Sequence, residues 1–391
     1  MSRANALAGA ASVVGIGHTD WPEDYGRVRR GEKPFDSYGY GAVALKRALD
    51  DAGLKAADVD GLIVGHMAYE RAGELYGISP RWGGTGGAVE AVVQATMAIA
   101  TGMAEVVALV YGNDQRSAKV QYGGPQAMGG EFALSYVYHA PWGLTSQGAL
   151  YALMQRRYME LTGATSADLG QVAVAERAWA VGNPAAVMRK AITLEDYLGA
   201  EFIADPLRLY DYCMINDGGV ALVIAEAGRA KRIAADRAVP IRAVGRADMN
   251  EDATSLKPRL IDFYRPGQKL CAEQVYAMAG LGPKDMDGVL IYDSFSCHVP
   301  FALEGFGFCG IGEAGRFIRE TGIGPGGRLP VNSHGGHLSE SYMQGWGHQL
   351  EAVRRLRGES AGPQYERCRH VQYVSDVGGN VFSLIYGREG A

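Results

Sequence analysis

The chain has 391 residues, a formal net charge of −5 and 55 glycines, about twice the glycine share of an average protein. Basic and acidic residues are interspersed and nearly balanced, 38 against 43, so no basic stretch indicates a nucleic-acid partner. The apolar runs are shorter than the roughly 18 to 20 residues of a membrane span, and the N-terminus lacks a signal-peptide pattern. We therefore expect a soluble, cytoplasmic protein that binds neither nucleic acid nor membrane.

Metal and disulfide frameworks are also not expected. The five cysteines are odd in number and contain no C-x-x-C pair, which argues against disulfides and zinc ribbons. His334 and His337 have the spacing of a metal pair, but no third ligand stands at suitable spacing in this glycine-rich segment. We expect neither a metal nor a separate cofactor.

Hydrophobic periodicity predicts helices that alternate with short buried strands, which is typical of an α/β fold. One helix is apolar on nearly every face, so we expect it to be buried in the core. In chain order the pattern predicts a helix at 42–52, a strand at 62–64, the core helix at about 87–101, a strand at 106–111, helices at about 148–161 and 166–181, a strand at 219–225, a helix at 272–279, and strands at 289–291 and 380–386.

One supersecondary unit occurs twice. A helix end with a glycine, two aspartates and a short apolar strand occupy 52–64, with Asp58 and Asp60 in the connecting loop. The same residue types recur without a gap 227 positions later, at 279–291. A repeat of this kind indicates duplication of a larger αβ unit.

The predicted organisation is two halves and an insert. Residues 1–114 and 211–240 form the N-terminal half, and 241–391 form the C-terminal half. The segment 115–210 is rich in Tyr, Met, Arg and Gln and is interpreted as an inserted lid or loop region. No linker-like tract separates the halves, so we expect them to share one interface.

The duplicated halves, the core helix behind a glycine-rich turn, and the segment Asn216-Asp217-Gly218-Gly219-Val220-Ala221 together resemble the thiolase superfamily, in its sterol-carrier-protein branch. The resemblance covers essentially the whole chain. It implies an α/β fold of five αβαβα layers with two mixed sheets, a homodimer, and acyl-CoA thioesters as substrates.

The position of the family's nucleophilic cysteine holds a glycine. The block that precedes the core helix reads Gly83-Gly84-Thr85-Gly86-Gly87, with Gly83 at the nucleophile's place. Glycine cannot hold an acyl group, so ordinary thiolase chemistry is not expected. The backbone of Gly83, Gly84 and Thr85 either receives substrate groups or only permits tight helix packing, and both interpretations stay open.

Two tyrosines replace family residues in the second half. The first block reads Tyr292-Asp293-Ser294-Phe295, and Tyr342 falls at or next to the family's catalytic histidine. This pair resembles the thiolase-like aldolases that shorten steroid side chains and that pair with a small OB-fold protein, often with a zinc ribbon. The resemblance implies retro-aldol cleavage of a β-hydroxyacyl-CoA, without a cysteine nucleophile and with such a partner.

Retro-aldol cleavage needs a base for the β-hydroxyl, donors for the enolate oxygen and an acid for the α-carbon. We expect Tyr292 and Tyr342 to face each other across the thioester, and their individual roles stay open. A phenol with a pKa near 10 needs a neighbour to activate it, and His337 and His348 are the predicted catalytic histidines. The predicted substrate-binding positions in this half of the chain are Asp293, His298, Gly378 and Gly379.

Two alternative functions remain. The first is a thiolase-like acyltransferase with an unrecognised nucleophile. The second is a non-catalytic acyl-CoA-binding or sterol-binding subunit of a complex. Release of a ketone or an aldehyde from a β-hydroxy thioester distinguishes the lyase from both.

Overall fold

A computed structural model describes residues 6–119, 140–144, 146–248, 259–377 and 379–388. Each of the predicted helices and strands is found, most of them longer by a few residues. The strands are β1 (Ala11–His18), β2 (Gly61–Gly65), β3 (Trp82–Thr85), β4 (Val106–Asn113), β5 (Phe202–Ala204), β6 (Leu207–Arg208), β7 (Gly218–Glu226), β8 (Val239–Asp248), β9 (Gly288–Ile291), β10 (His370–Val377) and β11 (Asn380–Gly387). The α-helices are α1 (Trp21–Arg29), α2 (Ser37–Ala52), α3 (Tyr69–Tyr76), α4 (Ala88–Ala100), α5 (Gln147–Thr162), α6 (Ser166–Val181), α7 (Leu194–Gly199), α8 (Ala227–Ala234), α9 (Arg265–Ala279), α10 (His298–Gly305), α11 (Ala314–Thr321), α12 (Gly336–Ser339) and α13 (Trp346–Arg357).

Nine strands form one mixed sheet in the order β3-β2-β4-β7-β1-β8-β11-β10-β9. The first five strands come from the N-terminal part of the chain and the last four from the C-terminal part. The two groups join through β1 and β8, where only Ser12 pairs with Pro240 and Val13 with Val239. Proline has no N–H to donate, which is consistent with so short a contact. The two predicted sheets are therefore the two halves of one continuous sheet.

The helices lie in three layers around and between these sheet halves. Buried residues of α4 and α13 form one hydrophobic cluster with residues from both sheet halves. Helices α2, α3 and α8 cover the outer face of the first half, and α9, α10 and α11 cover that of the second. Helix α4 is apolar on most faces because both sheet halves pack against it. The predicted five-layer fold is confirmed.

The repeated sequence unit is also repeated in three dimensions. Gly53 and Gly280 end helices α2 and α9 with the same left-handed geometry, φ 67° and ψ 28°. The Asp60 carboxylate accepts a hydrogen bond from the backbone N–H at the start of β4 at 2.8 Å. Asp287 does the same at the start of β10, at 3.0 Å. In both halves the aspartate thus fixes a strand beside its parallel neighbour, β2 or β9.

The inserted segment packs on the second half. Helix α6 lies against α11 and α12, and the Trp179 indole N–H donates to the carbonyl oxygen of Ile323 at 3.1 Å. Residues 120–139 and 145 of the predicted lid lie outside the described residues. The boundaries assigned to the halves and the insert stay predictions. Among the described helices, none has the length and apolar character needed to cross a membrane.

Candidate active site

The hydroxyl groups of Tyr292 and Tyr342 are in direct contact. Tyr292 follows β9, and its backbone N–H donates to the carbonyl oxygen of Val374 in β10 at 2.8 Å. Tyr342 follows the short helix α12, and the two phenol oxygens lie 3.0 Å apart. Each side chain is buried except for 6% of its surface. The structure therefore brings together the two residues predicted to carry the chemistry.

The N-D-G-G segment and a glycine hold Tyr342 in place. The Asn216 Oδ1 accepts the backbone N–H of Tyr342 at 2.7 Å, and its Nδ2 donates to Ser341 Oγ at 2.8 Å. Gly345 has φ +83°, and a β-carbon there would lie 2.1 Å from the Tyr373 hydroxyl. A residue with a side chain would fit at position 345 only if Tyr373 or the backbone next to Tyr342 moved.

His337 packs between the two tyrosines. Its ring meets those of Tyr292 and Tyr342 edge to face, with centroids 4.7 and 4.9 Å away. Its Nε2 accepts the backbone N–H of Gly345 at 2.9 Å, so the proton of the neutral ring is on Nδ1, 3.3 Å from Asp293 Oδ1. Burial lowers the pKa of His337 well below its usual value. This geometry favours a positioning role over the predicted catalytic one.

His348 and Asp293 are buried more deeply than the two tyrosines. The His348 Nε2 is 2.9 Å from Asp293 Oδ1 and 3.0 Å from the Ile291 carbonyl oxygen, and both oxygens are acceptors, so Nε2 carries a proton. The other carboxylate oxygen of Asp293 accepts the backbone N–H of Leu338 at 3.2 Å. Both side chains are fully buried. These contacts favour positioning over the substrate contact predicted for Asp293 and over the catalytic role predicted for His348.

The same three residues have the spacing of a metal site. One ligand atom each from Asp293, His337 and His348 lies within 4.8 Å of the other two. The sequence interpretation missed this group because it looked for a third ligand near His334, whose Nε2 lies 3.7 Å from Glu340 Oε2 instead. The 2.9 Å hydrogen bond between His348 Nε2 and Asp293 Oδ1 accounts for the spacing of these two side chains without an ion, and the absence of a metal stays a prediction.

His298 borders the tyrosine pair. It begins helix α10, and its Nε2 is 3.1 Å from Ser294 Oγ. Its ring lies 5.9 Å from that of Tyr292 and 4.5 Å from that of Tyr151. Burial lowers the pKa of His298 to about 4, so it is neutral at physiological pH. Of the predicted substrate-binding residues, His298 thus has a ring contact with Tyr292.

The predicted glycine positions belong to two separate parts of the sheet. Gly83, Gly84 and Thr85 lie on edge strand β3, at the other end of the strand order from β9. Within the described part of the chain, no hydrogen bond links this strand to the tyrosine pair. Gly379 lies in the turn between β10 and β11 with φ +86°, and Gly378 lies outside the described residues. A substrate contact at these four positions stays a prediction.

Glu176 is the acidic side chain of the site that the sequence interpretation missed. It is fully buried on α6, and its Oε1 accepts a hydrogen bond from Asn332 Nδ2 at 2.8 Å. Its second oxygen faces Asp293. The available signal was a single glutamate within the Ala- and Val-rich stretch 172–181, where a charge on an apolar helix marks a buried polar contact.

Comparisons with known proteins identify relatives that match over nearly the whole chain. A family model described as "Thiolase C-terminal domain-like" matches residues 259–386. The chain is 38% identical to the 17-hydroxy-3-oxo-4-pregnene-20-carboxyl-CoA lyase of Mycobacterium tuberculosis, over 97% of this chain and 100% of that one. It is 37% identical to the steroid side-chain-cleaving aldolase of Thermomonospora curvata, over 98% and 100%.

A solved structure, the Ltp2-ChsH2(DUF35) aldolase, superimposes with a TM-score of 0.88 and 34% identity, over 99% of this chain and 100% of that one. These three relatives match over nearly the full length of the chain, and their names describe a lyase and aldolases. The chain therefore belongs to the thiolase superfamily, in the branch of thiolase-like steroid side-chain-cleaving aldolases.

Proposed function

We propose that this chain is a carbon–carbon lyase that cleaves a β-hydroxyacyl-CoA by a retro-aldol reaction, giving a ketone or an aldehyde and a shorter acyl-CoA. The observation that carries the proposal is the 3.0 Å contact between the Tyr292 and Tyr342 hydroxyls. The names of the two relatives support the same chemistry and suggest a steroid side chain as the acyl group.

Two hydrogen-bonded phenols supply an acceptor and a donor at once. The phenol that donates to its neighbour keeps a lone pair for the β-hydroxyl proton of the substrate. The neighbour can turn its own O–H to the enolate of the thioester when the substrate is bound. As the Cα–Cβ bond breaks, one proton moves from the β-hydroxyl to the first phenol, one from the first to the second, and one from the second to the α-carbon. Either tyrosine can take the first place.

This relay balances without a further reactant. The β-carbon gains a C=O double bond, the electron pair of the broken bond passes through the enolate, and the new C–H bond receives the proton that the hydroxyl lost. Neither phenol has to ionise beforehand, so an ordinary phenol pKa near 10 is no obstacle. The relay also requires no metal and no cofactor.

The pKa shifts of the five cysteines give little support to the acyltransferase alternative. All five thiols are free, and burial raises the pKa of each, to about 12 for Cys309 and Cys368 and further for the other three. A cysteine nucleophile needs the opposite shift, toward the thiolate. Position 83, the predicted place of the family's nucleophile, holds a glycine, which has no side chain to carry an acyl group.

We also propose a homodimer that forms along β3. Among the described strands β3 pairs only with β2, and the open edge of such a strand can template pairing with a second copy. Met97 in α4 and Met103 in the turn after that helix are about half exposed, at 51% and 53%. Light scattering should give twice the chain mass for the native protein and a lower mass for Met97→Glu.

The solved relative bears a second protein in its name, ChsH2(DUF35). This supports a partner for the present chain as well, for which we expect the small OB-fold and zinc-ribbon type. A cytoplasmic location stays a prediction.

The decisive experiment is a mass-spectrometric product assay on a panel of β-hydroxyacyl-CoAs, with the chain alone and with candidate partners. The proposal predicts a ketone or an aldehyde and the shortened acyl-CoA, and loss of both products in Tyr292→Phe and Tyr342→Phe. Binding of acyl-CoA without turnover in any preparation supports the non-catalytic subunit instead. Near-native turnover in both variants would end the tyrosine mechanism.

A further inference from the structure

Glu176 comes from the inserted segment and yet lies beside the buried centre of the site. Its Oε1 accepts a hydrogen bond from Asn332 Nδ2 at 2.8 Å. The same Nδ2 donates to the carbonyl oxygen of Ile291 at 2.9 Å, and Asn332 Oδ1 accepts the Ile291 N–H at 2.7 Å. Asn332 thus joins Glu176 to the end of β9, immediately before Tyr292.

The carboxyl groups of Glu176 and Asp293 meet over the α-carbon of Gly336. A β-carbon on Gly336 would lie 2.6 Å from Glu176 Oε2 and 2.2 Å from Asp293 Oδ2. Gly336 also has φ +61°, a conformation that favours glycine. Because position 336 has no side chain, both carboxyl groups fit side by side in a fully buried site.

Two carboxylates in such contact cannot both be ionised, so they share one proton. Asp293 accepts N–H groups from His348 and Leu338, which favour its anion, whereas Glu176 receives one neutral amide. Burial, and then the charge of Asp293, raise the pKa of Glu176 well above its usual value. Burial opposes ionisation of Asp293, but the imidazole of His337 and the hydrogen bond from His348 outweigh it and lower its pKa. The proton is therefore on Glu176.

We propose that Glu176 is a positioning residue that, in its protonated form, donates a hydrogen bond to Asp293 and thereby keeps His337 oriented between the two catalytic tyrosines. The chain of contacts runs from Glu176 to Asp293, from Asp293 to His337 Nδ1, and from the His337 ring to Tyr292 and Tyr342. Its kinetic consequence rests on the proposed lyase function, whereas its effect on His337 does not.

Two substitutions of Glu176 distinguish the need for a neutral hydrogen-bond donor at this position from the need for a negative charge. The amide of Glu176→Gln can still donate to Asp293 and accept from Asn332, so kcat should stay within about threefold of native. Glu176→Ala removes the donor, and loss of a hydrogen bond to a charged group should lower kcat roughly 10-fold to 100-fold with KM nearly unchanged. The pH profile of kcat should be the same for the native enzyme and Glu176→Gln.

Glu160→Ala is the matched control, because Glu160 is an exposed glutamate on α5 paired with Arg157 on the surface. It should leave kcat and the melting temperature unchanged. The proposal is overturned if Glu176→Gln loses as much kcat as Glu176→Ala, since an ionised carboxylate would then be required. It is equally overturned if Glu176→Ala, shown to be folded by circular dichroism, keeps native kcat.

Nitrogen NMR of histidine-labelled protein tests the same proposal without any turnover. The native protein and Glu176→Gln should both give a His337 ring protonated at Nδ1, and Glu176→Ala should shift or broaden that signal. An unchanged His337 signal in Glu176→Ala overturns the proposal. If the native chain cleaves no thioester but the His337 shift is found, only the lyase assignment fails.

Discussion

Gly83 packs closely against the carbonyl oxygen of Leu62 on the neighbouring strand β2. A β-carbon on Gly83 would lie 2.1 Å from that oxygen and 2.6 Å from the Tyr69 hydroxyl. The position that we predict to correspond to the superfamily's nucleophile therefore has no room for a cysteine in this chain. At this position the backbone packing, as well as the identity of the residue, disfavours a cysteine nucleophile.

Gly83→Cys should destabilise the protein and should not create thiolase activity. We expect a loss of about 1 to 3 kcal/mol in the free energy of unfolding, because the added atoms overlap with main chain that cannot easily move. Gly84→Cys is the matched control, since nothing lies within 4 Å of a β-carbon at Gly84. Urea denaturation measures both. Equal stability of the two variants would contradict the steric argument.

Removing either hydroxyl of the tyrosine pair should interrupt the same proton relay. Tyr292→Phe and Tyr342→Phe should each lower kcat roughly 100-fold to 1,000-fold. The double variant should be little worse than either single one, because the two groups act as a unit.

Tyr276→Phe is the control for these two variants, because it also removes a tyrosine hydroxyl that forms a hydrogen bond. The Tyr276 hydroxyl lies 3.0 Å from Gln372 Oε1 in the second half. It should leave kcat close to native. Effects of Tyr292→Phe and Tyr342→Phe that multiply in the double variant would indicate two independent roles rather than a relay.

The tyrosine pair and the duplicated fold could be predicted from the sequence because both are marked by short local motifs. The 52–64 unit repeats its residue types at fixed offsets, and Tyr292 and Tyr342 stand inside recognisable motifs. Local patterns also gave the extent of helices such as α4, where nearly every face is apolar.

The buried acid behind the tyrosines was not accessible in this way. Glu176 meets Asp293 only because α6 packs against α12, and no local pattern states which helices touch. The roles of His337 and His348 depend likewise on which ring nitrogen carries a proton. That is decided by Gly345 N–H and by the Ile291 carbonyl, contacts that exist only in the folded chain.

The group formed by Asp293, His337 and His348 should hold no metal in the active protein. His348 Nε2 donates a proton toward two oxygens, so binding a cation there would cost these hydrogen bonds. Dialysis against a chelator should leave kcat unchanged, and elemental analysis of the chain purified by itself should find well below one equivalent of zinc. One tightly held equivalent, with activity lost on its removal, would show the opposite.

The stability of the protein should fall as pH rises through neutrality because of Asp376. Burial raises the pKa of Asp376 to about 8, although Gln268 Nε2 donates to its Oδ2 at 2.7 Å. A carboxyl whose pKa is higher in the folded chain than its unfolded value near 4 stabilises the fold fully below pH 4. That contribution is lost progressively up to about pH 8. Asp376→Asn keeps the acceptor for Gln268 and has no proton to lose.

The free energy of unfolding of Asp376→Asn should therefore rise relative to native by up to about 1.4 kcal/mol per pH unit between pH 5 and 7, and level off above pH 8. Urea denaturation at unit steps of pH measures the difference. Asp50→Asn is the control, because the Asp50 side chain is 62% exposed and keeps its contact with water in the folded state. If the difference in the free energy of unfolding between Asp376→Asn and the native protein does not change with pH, Asp376 is ionised in the folded protein. That result would contradict a protonated Asp376 carboxyl beside Gln268.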